Sequence, residues 1–303
     1  MTPIPAPLVT ALTSTLRAAG DHTALTSVQA IGGGCINLAY RLTTAQGTYF
    51  LKWNPQALPG MFSAEAHGLT LICSTRTIRV PTVVAVAEAS ADCPAYIMLE
   101  WLEDSNGTAS HMDQALLGTQ LAAMHRATMP AYGLDQDNYL GSTLQYNDWD
   151  DDWIRFFRER RLRPQIELAQ RNGRLPSQRR KGLERLLEHL DQWLSGIERQ
   201  PALLHGDLWA GNVLSLPDGT PALIDPAIYY GDREAELAYT GLFGGFHDRF
   251  MAAYQEAWPL APDYADRCDL YNLYHLLNHL NLFGERYGAQ IDAVVQRYIG
   301  IIA

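Results

Sequence analysis

Three polar side chains stand where short apolar runs end in residues 203–236, LLHGDLWAGNVLSLPDGTPALIDPAIYYGDREAE. Ala202-Leu203-Leu204 leads into His205-Gly206-Asp207, and Asn212 follows five residues after Asp207. Ala222-Leu223-Ile224 then ends on Asp225, thirteen residues beyond Asn212. The pattern predicts two short strands with two carboxylates and an amide at their ends. Phosphoryl transfer from ATP needs such a set: one carboxylate to take a hydroxyl proton, and an Asn with a second carboxylate to hold Mg²⁺ on the phosphates. An ordinary buried hairpin with solvated acids is the plain alternative.

A glycine turn lies upstream, Gly32-Gly33-Gly34, followed by Cys35-Ile36-Asn37. Without Cβ atoms, such a turn lets backbone N–H groups approach phosphate oxygens, although a bare hairpin turn would look the same. Lys52 follows in a strand of apolar neighbours, Tyr49-Phe50-Leu51-Lys52-Trp53, and is expected to reach phosphate oxygens beneath that turn. Glu65, on the predicted helix Met61–Ser74, would hold the lysine extended; an exposed glutamate is the alternative. The strand 94–101 is expected to run into a hinge. There, backbone groups of Glu100, Trp101 and Leu102 would meet adenine and Met98 would line its pocket. Cys35 sits in a turn rich in N–H groups, which favour a thiolate. Oxidation, or a disulfide joining two chains through Cys35, would then distort the turn and weaken ATP binding; an inert filler residue is the alternative.

The elements that must position these groups follow from periodicity. Leu8, Leu12, Leu16 and Ala19 mark a short amphipathic helix over 7–19, and β-rich stretches at 26–31, 36–44 and 48–54 suggest an antiparallel meander. Strands are expected over 78–87 and 94–101, with a lobe boundary near Asp104-Ser105-Asn106-Gly107. Beyond it the pattern is mainly helical: 111–128, 150–171 with a kink at Pro164, 177–199, 234–241, 246–258, 264–283 and 291–302. Residues 131–149 are too rich in Gly, Asn and Asp for regular structure, and a loop that long is expected to be functional or firmly packed. His125 reads as structural or capping. His275 and His279, four apart with no H-E-x-x-H motif, read as structural or substrate-facing rather than metal-ligating. The run Arg179-Arg180-Lys181 reads as a solvated face.

Bulk properties narrow the class. The chain has 303 residues, 33 acids against 23 bases and a net charge of −10, which argues against nucleic acid or an anionic membrane as the main partner. Its length suits two lobes, 1–102 and 103–303. The four cysteines are scattered without zinc spacing. The opening residues lack a basic start, and no run approaches a membrane span, so a reducing cytoplasm is expected.

His-Gly-Asp, Asn and Asp-Pro-Ala resemble the catalytic loop and metal-binding Asp of kinases, with Lys52 and Glu65 as the accompanying pair. More specifically, HGDLWAGN (205–212), DPAIYYGDREAELA (225–238) and GLFGGF (241–246) resemble the fructosamine kinase, or ketosamine-3-kinase, family. These are relatives of aminoglycoside phosphotransferases. GGGCIN (32–37), FSAEAHGL (62–69), NDWDDDWIRFF (147–157) and LYNLYHLLNHLNLFG (270–284) extend the likeness over nearly the whole chain. The resemblance implies an α+β, bilobal protein-kinase-like fold, with a small antiparallel-sheet lobe and a larger helical one. It implies ATP-dependent phosphorylation of the 3-hydroxyl of a ketosamine formed on lysine, followed by elimination that frees the lysine, hence protein deglycation. Carried over, Asp207 is the base, with His205 bracing its loop. Asn212 and Asp225 hold Mg²⁺, Lys52 contacts the α/β-phosphates, Glu65 holds Lys52, and Gly32–Asn37 cover the phosphates.

Two departures from protein kinases bear on substrate and control. Trp209 stands where they carry a lysine two residues after the base, and a flat indole there suits stacking on a sugar or on lysine methylenes. Asp-Pro-Ala replaces Asp-Phe-Gly, which argues against control by an activation loop; Glu234 and Glu236 are expected to anchor the catalytic loop. Two other readings stay open: a kinase of aminoglycosides, choline or free sugars, and a catalytically inactive nucleotide-binding or redox module. Lys52, Asp207, Asn212 and Asp225 are all present, which weighs against the second.

Overall fold

The computed structural model describes residues 4–32, 36–105 and 112–300. The chain groups into two compact units: residues 1–112 with 214–225, and residues 113–213 with 226–303. A single cut at 102/103 therefore gives way to a division in which one downstream hairpin belongs to the N-terminal unit.

The first unit begins with α1 (Ala6–Ala18), where Leu8, Leu12 and Leu16 form a fully buried stripe at helical spacing. Strands β1 (Ser27–Ile31), β2 (Leu38–Thr43) and β3 (Thr48–Asn54) make the expected meander. Helix α2 (Met61–Thr75) separates them from β4 (Val83–Ala87) and β5 (Ala95–Glu100). The sheet order is β1-β2-β3-β5-β4, antiparallel throughout. Alternation along the strands divides it into two faces. Tyr40, Leu42, Leu51, Trp53, Tyr96 and Met98 pack with the α1 leucines. Lys52, paired in register with Ile97, points to the other face, where α2 supplies Glu65. Residues 78–82 precede β4; Arg79 bridges to Ala222 instead of to a strand of this sheet.

The second unit opens with α3 (Gln114–His125), which is capped by the Asp113 side chain on the Leu116 amide and so starts later than expected. Residues 131–149 hold a small hairpin, β6 (Asn138–Leu140) and β7 (Thr143–Gln145). Its polar residues are buried because they have partners: Asn138 and Gln145 donate to the carbonyls of Ile228 and Ala227. The predicted helix 150–171 is three pieces: α4 (Trp153–Phe156), a π-helical turn (Phe157–Leu162) and α5 (Arg163–Arg171). Pro164 cannot donate to the carbonyl four residues back, and the widened turn takes up that mismatch. The π turn carries Arg161 inward, fully buried, with bonds to the Tyr146 carbonyl and Asn147 Oδ1 and its guanidinium 3.9 Å from the Tyr229 ring centre.

The predicted helix 177–199 breaks into α6 (Ser177–Glu188) and α7 (Asp191–Leu194). Its basic start is not wholly a solvated face, because Arg179 is buried and paired with Glu285 and Asp292. The chain continues through β8 (Ala202–Leu204), β9 (Val213–Ser215), β10 (Pro221–Leu223) and β11 (Tyr229–Gly231). Four helices follow: α8 (Arg233–Leu242), α9 (Asp248–Ala257), α10 (Tyr264–Phe283) and α11 (Gly288–Ile299). The 214–225 segment docks on the first unit through Leu223 N–H to the Arg79 carbonyl and Ser105 N–H to the Ser215 carbonyl. Among the described residues no helix is long and apolar enough to cross a membrane.

Candidate active site

The candidate catalytic loop, residues 205–212, grows out of β8, buried at every position and paired antiparallel with β11. Its backbone is held from both sides. The His205 carbonyl accepts the Ala227 amide at 2.8 Å. The amides of His205 and Gly206 both donate to the Glu236 carboxylate, at 3.1 and 2.6 Å. Glu236 is in turn 2.8 Å from His125 Nε2, whose Nδ1 lies 2.8 Å from the Tyr254 hydroxyl. Burial opposes charge on Glu236, but His125 and the Gly206 amide outweigh it and hold its carboxyl below the ordinary value. Glu236 therefore anchors the loop. Glu234 does not: its carboxylate is taken by Arg267 on α10, at 2.7 and 2.9 Å.

At the tip, the Asp207 amide donates to His205 Nδ1 at 3.3 Å. Asn212 Nδ2 donates to the Asp207 carbonyl at 2.8 Å and to its Oδ2 at 3.1 Å. The other carboxylate oxygen, Oδ1, accepts the Tyr239 hydroxyl at 3.1 Å. Trp209 is 41% exposed, and its indole covers Gly211 so closely that a Cβ there would fall 2.2 Å from the ring. His275 stacks on Tyr239, with ring centres 3.5 Å apart and planes 7° from parallel. Among the described residues no group of three His, Cys, Asp or Glu side chains could hold a metal by itself.

In the first unit, Lys52 Nζ lies 2.8 and 3.0 Å from the Glu65 oxygens and 2.6 Å from Asp225 Oδ1. Burial works against the ammonium, but the two carboxylates outweigh it and raise its pKa, so Lys52 is a fixed positive charge. Burial pushes the Glu65 carboxyl upward despite the lysine beside it. Asp225 adopts φ +56°, a left-handed conformation that Asp tolerates better than most residues. The sequence reading of Met98 is corrected: it is fully buried on the α1 face, opposite Lys52, and Ile97 and Leu99 occupy the lysine's face. Of the amides expected at the hinge, Glu100 N–H is spent on the Thr82 carbonyl and Trp101 N–H points to the Thr48 carbonyl at 3.4 Å. The Glu100 side chain pairs with Arg79 and accepts the Thr82 amide.

Of the glycine turn, Gly33, Gly34 and Cys35 lie outside the described residues. Gly32 precedes them, and beyond them Asn54 Nδ2 ties the Ile36 carbonyl and Asn37 Oδ1 to β3, at 3.3 and 3.1 Å. Sequence reasoning missed Tyr239 and Asn54, and it read His125 as generically structural. A helical tyrosine or a capping-type histidine has no local signature; only its distant partners give it a role.

The fructosamine kinase family model matches residues 9–300. The chain belongs to the fructosamine kinase family. Similar relatives include a probable ketoamine kinase of Enterococcus faecium, 41% identical over 269 residues, 88% of this chain and 93% of that one. The chloroplastic protein-ribulosamine 3-kinase of Oryza sativa subsp. indica is 40% identical, over 93% of this chain and 82% of that one. Among solved structures, a putative fructosamine-3-kinase from Haemophilus somnus superposes with a TM-score of 0.86 at 27% identity, covering 95% of this chain and 96% of that one. This fructosamine kinase family member therefore has the mixed α+β kinase-like architecture expected from its motifs, and it is an ATP-dependent kinase acting on a hydroxyl.

Proposed function

We propose that this kinase transfers the γ-phosphoryl group of ATP to the 3-hydroxyl of a ketosamine carried on lysine, of the ribulosamine or fructosamine type. The arrangement at Asp207 carries the reading: a carboxylate at the tip of a loop whose backbone is fixed by Glu236, with a donor on each of its own oxygens. Asp207 takes the sugar hydroxyl's proton as that oxygen bonds to the γ-phosphorus, and the bond from phosphorus to the ADP oxygen breaks. Lys52, extended by Glu65, balances charge on the phosphates. The phosphate installed two carbons from the adduct's nitrogen-bearing carbon, next to the ketone, is then a leaving group: once the ketone enolises toward the nitrogen-bearing carbon, loss of inorganic phosphate leaves an imine, and its hydrolysis by water frees the lysine.

Asn212 and Asp225 fit a hard cation: both offer oxygen, and the Asp225 side chain is 43% exposed despite its bond to Lys52. With no metal-holding cluster of three His, Cys, Asp or Glu side chains among the described residues, Mg²⁺ would be completed by phosphate oxygens, the usual habit of that ion. When bound it would neutralise charge on the phosphates. Trp209, an exposed indole next to the loop tip in sequence, is assigned to the sugar or the lysine methylenes.

The test is ATP consumption with ribulosyl-lysine and fructosyl-lysine side by side, with Asp207→Asn as blank. Turnover on either supports the reading, and the ratio names the preferred sugar. No turnover on both, with ATP still bound, would overturn it in favour of another alcohol acceptor.

A further inference from the structure

We propose that Tyr239 is a positioning residue for the base, its phenol fixing the Asp207 carboxylate while the His275 ring fixes the phenol. This rests on the reading of Asp207 as the base. Four observations carry it. The Asp207 carboxylate accepts from Asn212 on Oδ2 and from Tyr239 on Oδ1, both at 3.1 Å. Two donors from different elements stop rotation of the carboxylate plane, which a single donor leaves free. Tyr239 is 2% exposed, and burial with the neighbouring carboxylate raises its phenol pKa, so it remains a donor.

The third observation is the stack. Tyr239 lies on α8 and His275 on α10, and their rings are parallel at 3.5 Å, while Phe243 meets Tyr239 edge-on at 5.9 Å. A phenol packed on its face and its edge has one direction in which to aim its hydroxyl. The fourth is that the His275 side chain is held by packing: it is 6% exposed, and among the described residues its Nδ1 has no hydrogen-bond partner. Such a nitrogen is costly to bury, and the flat contact with Tyr239 is the visible return. Asn212, by contrast, sits on the loop itself and moves with Asp207. Tyr239 therefore refers the carboxylate of the base to α8, as Glu236 refers the backbone of its loop to the same helix.

The test uses the full chain with Tyr239→Phe and Asp207→Asn side by side, under saturating and limiting ketosamine and ATP. Tyr239→Phe should lower kcat about tenfold, the usual scale for one hydrogen bond to a charged group. Both KM values should stay within about twofold and the thermal midpoint within about 2 °C. Unchanged kcat would overturn the proposal, and so would a fall in kcat matched by altered KM and a lower midpoint, which marks a merely structural role. If Asp207→Asn keeps wild-type turnover, the base reading itself fails. If it abolishes turnover while Tyr239→Phe matches wild type, only the positioning role fails. Should Tyr239→Phe not fold, His275→Phe and His275→Ala decide: the first keeps the stack and should keep kcat, the second should lower it several-fold at constant KM. Equal kcat in both would overturn the proposal.

Discussion

Gly206 and the Ala227 carbonyl are in such close approach that a Cβ on Gly206 would lie 1.9 Å from that oxygen. Gly206 also has φ +82°, which side chains other than glycine's rarely adopt. Gly206→Ala must therefore push the 205–212 loop off the segment that joins Asp225 to β11. We expect a loss of about 3 kcal/mol in stability and at least a hundredfold fall in kcat. Denaturant titration and steady-state kinetics on one preparation measure both; a stable, active Gly206→Ala enzyme would refute the fit.

Glu236 makes the loop's anchorage sensitive to pH. Its carboxyl titrates below the ordinary 4.5, so the folded state favours the charged form. That contribution is fully present above pH 4.5 and is lost as pH falls through the lower, folded-state pKa. Glu236→Gln should lower the thermal midpoint by about 5 °C at neutral pH. The gap to wild type should narrow as the solution is taken below pH 4.5, where the unfolded chain's carboxyl protonates, and close as pH falls through the lower, folded-state pKa, where the folded wild-type carboxylate is protonated too. Thermal melts across that range give the answer, and a constant gap would mean the charge on Glu236 is unimportant.

Lys52 is shared between a buried partner, Glu65, and a half-exposed one, Asp225. Lys52→Met leaves Glu65 buried without its cation, which costs about 3 kcal/mol. Catalytic efficiency toward ATP should fall at least a hundredfold. Glu65→Gln should be milder, about tenfold, because Asp225 still orients the ammonium. Initial rates against ATP concentration separate the two; equal defects would show that Glu65 does more than hold the lysine.

Trp209 rests on Gly211 and leaves 41% of its surface to solvent. Trp209→Ala should raise KM for the ketosamine about tenfold, the scale of one lost stacking contact, with a smaller change in kcat. Gly211→Ala should copy part of that effect by unseating the indole. If KM stays at the wild-type value in both, Trp209 does not meet the acceptor.

Much of the site can be read from local pattern. Apolar runs ending on His205-Gly206-Asp207 and on Asp225 imply strand ends, and the Asp207–Asn212 interval is short enough for one loop to close on itself, as the bonds between these residues demonstrate. Lys52 and Glu65 could be paired because a strand and the helix after it are neighbours in most folds. Helical periodicity placed α1, α2 and α10 to within a few residues.

What the sequence by itself determined was therefore the set of candidate groups and the local elements that carry them, since both depend on interactions between near neighbours. The tertiary structure decided which side of the sheet each residue faces and which distant groups hold the loop. Met98 faces α1 because β5 pairs with β3 in a register that sets Ile97 opposite Lys52, and a slip of one residue would have reversed it. Glu236 with His125, 111 residues away, and Tyr239 with Asp207, 32 residues away, meet only through packing. Arg179 looked solvated for the same reason, its partners Glu285 and Asp292 lying more than a hundred residues downstream. Such contacts follow no period along the chain; they exist because burying a polar group is tolerable only where the fold brings it a partner.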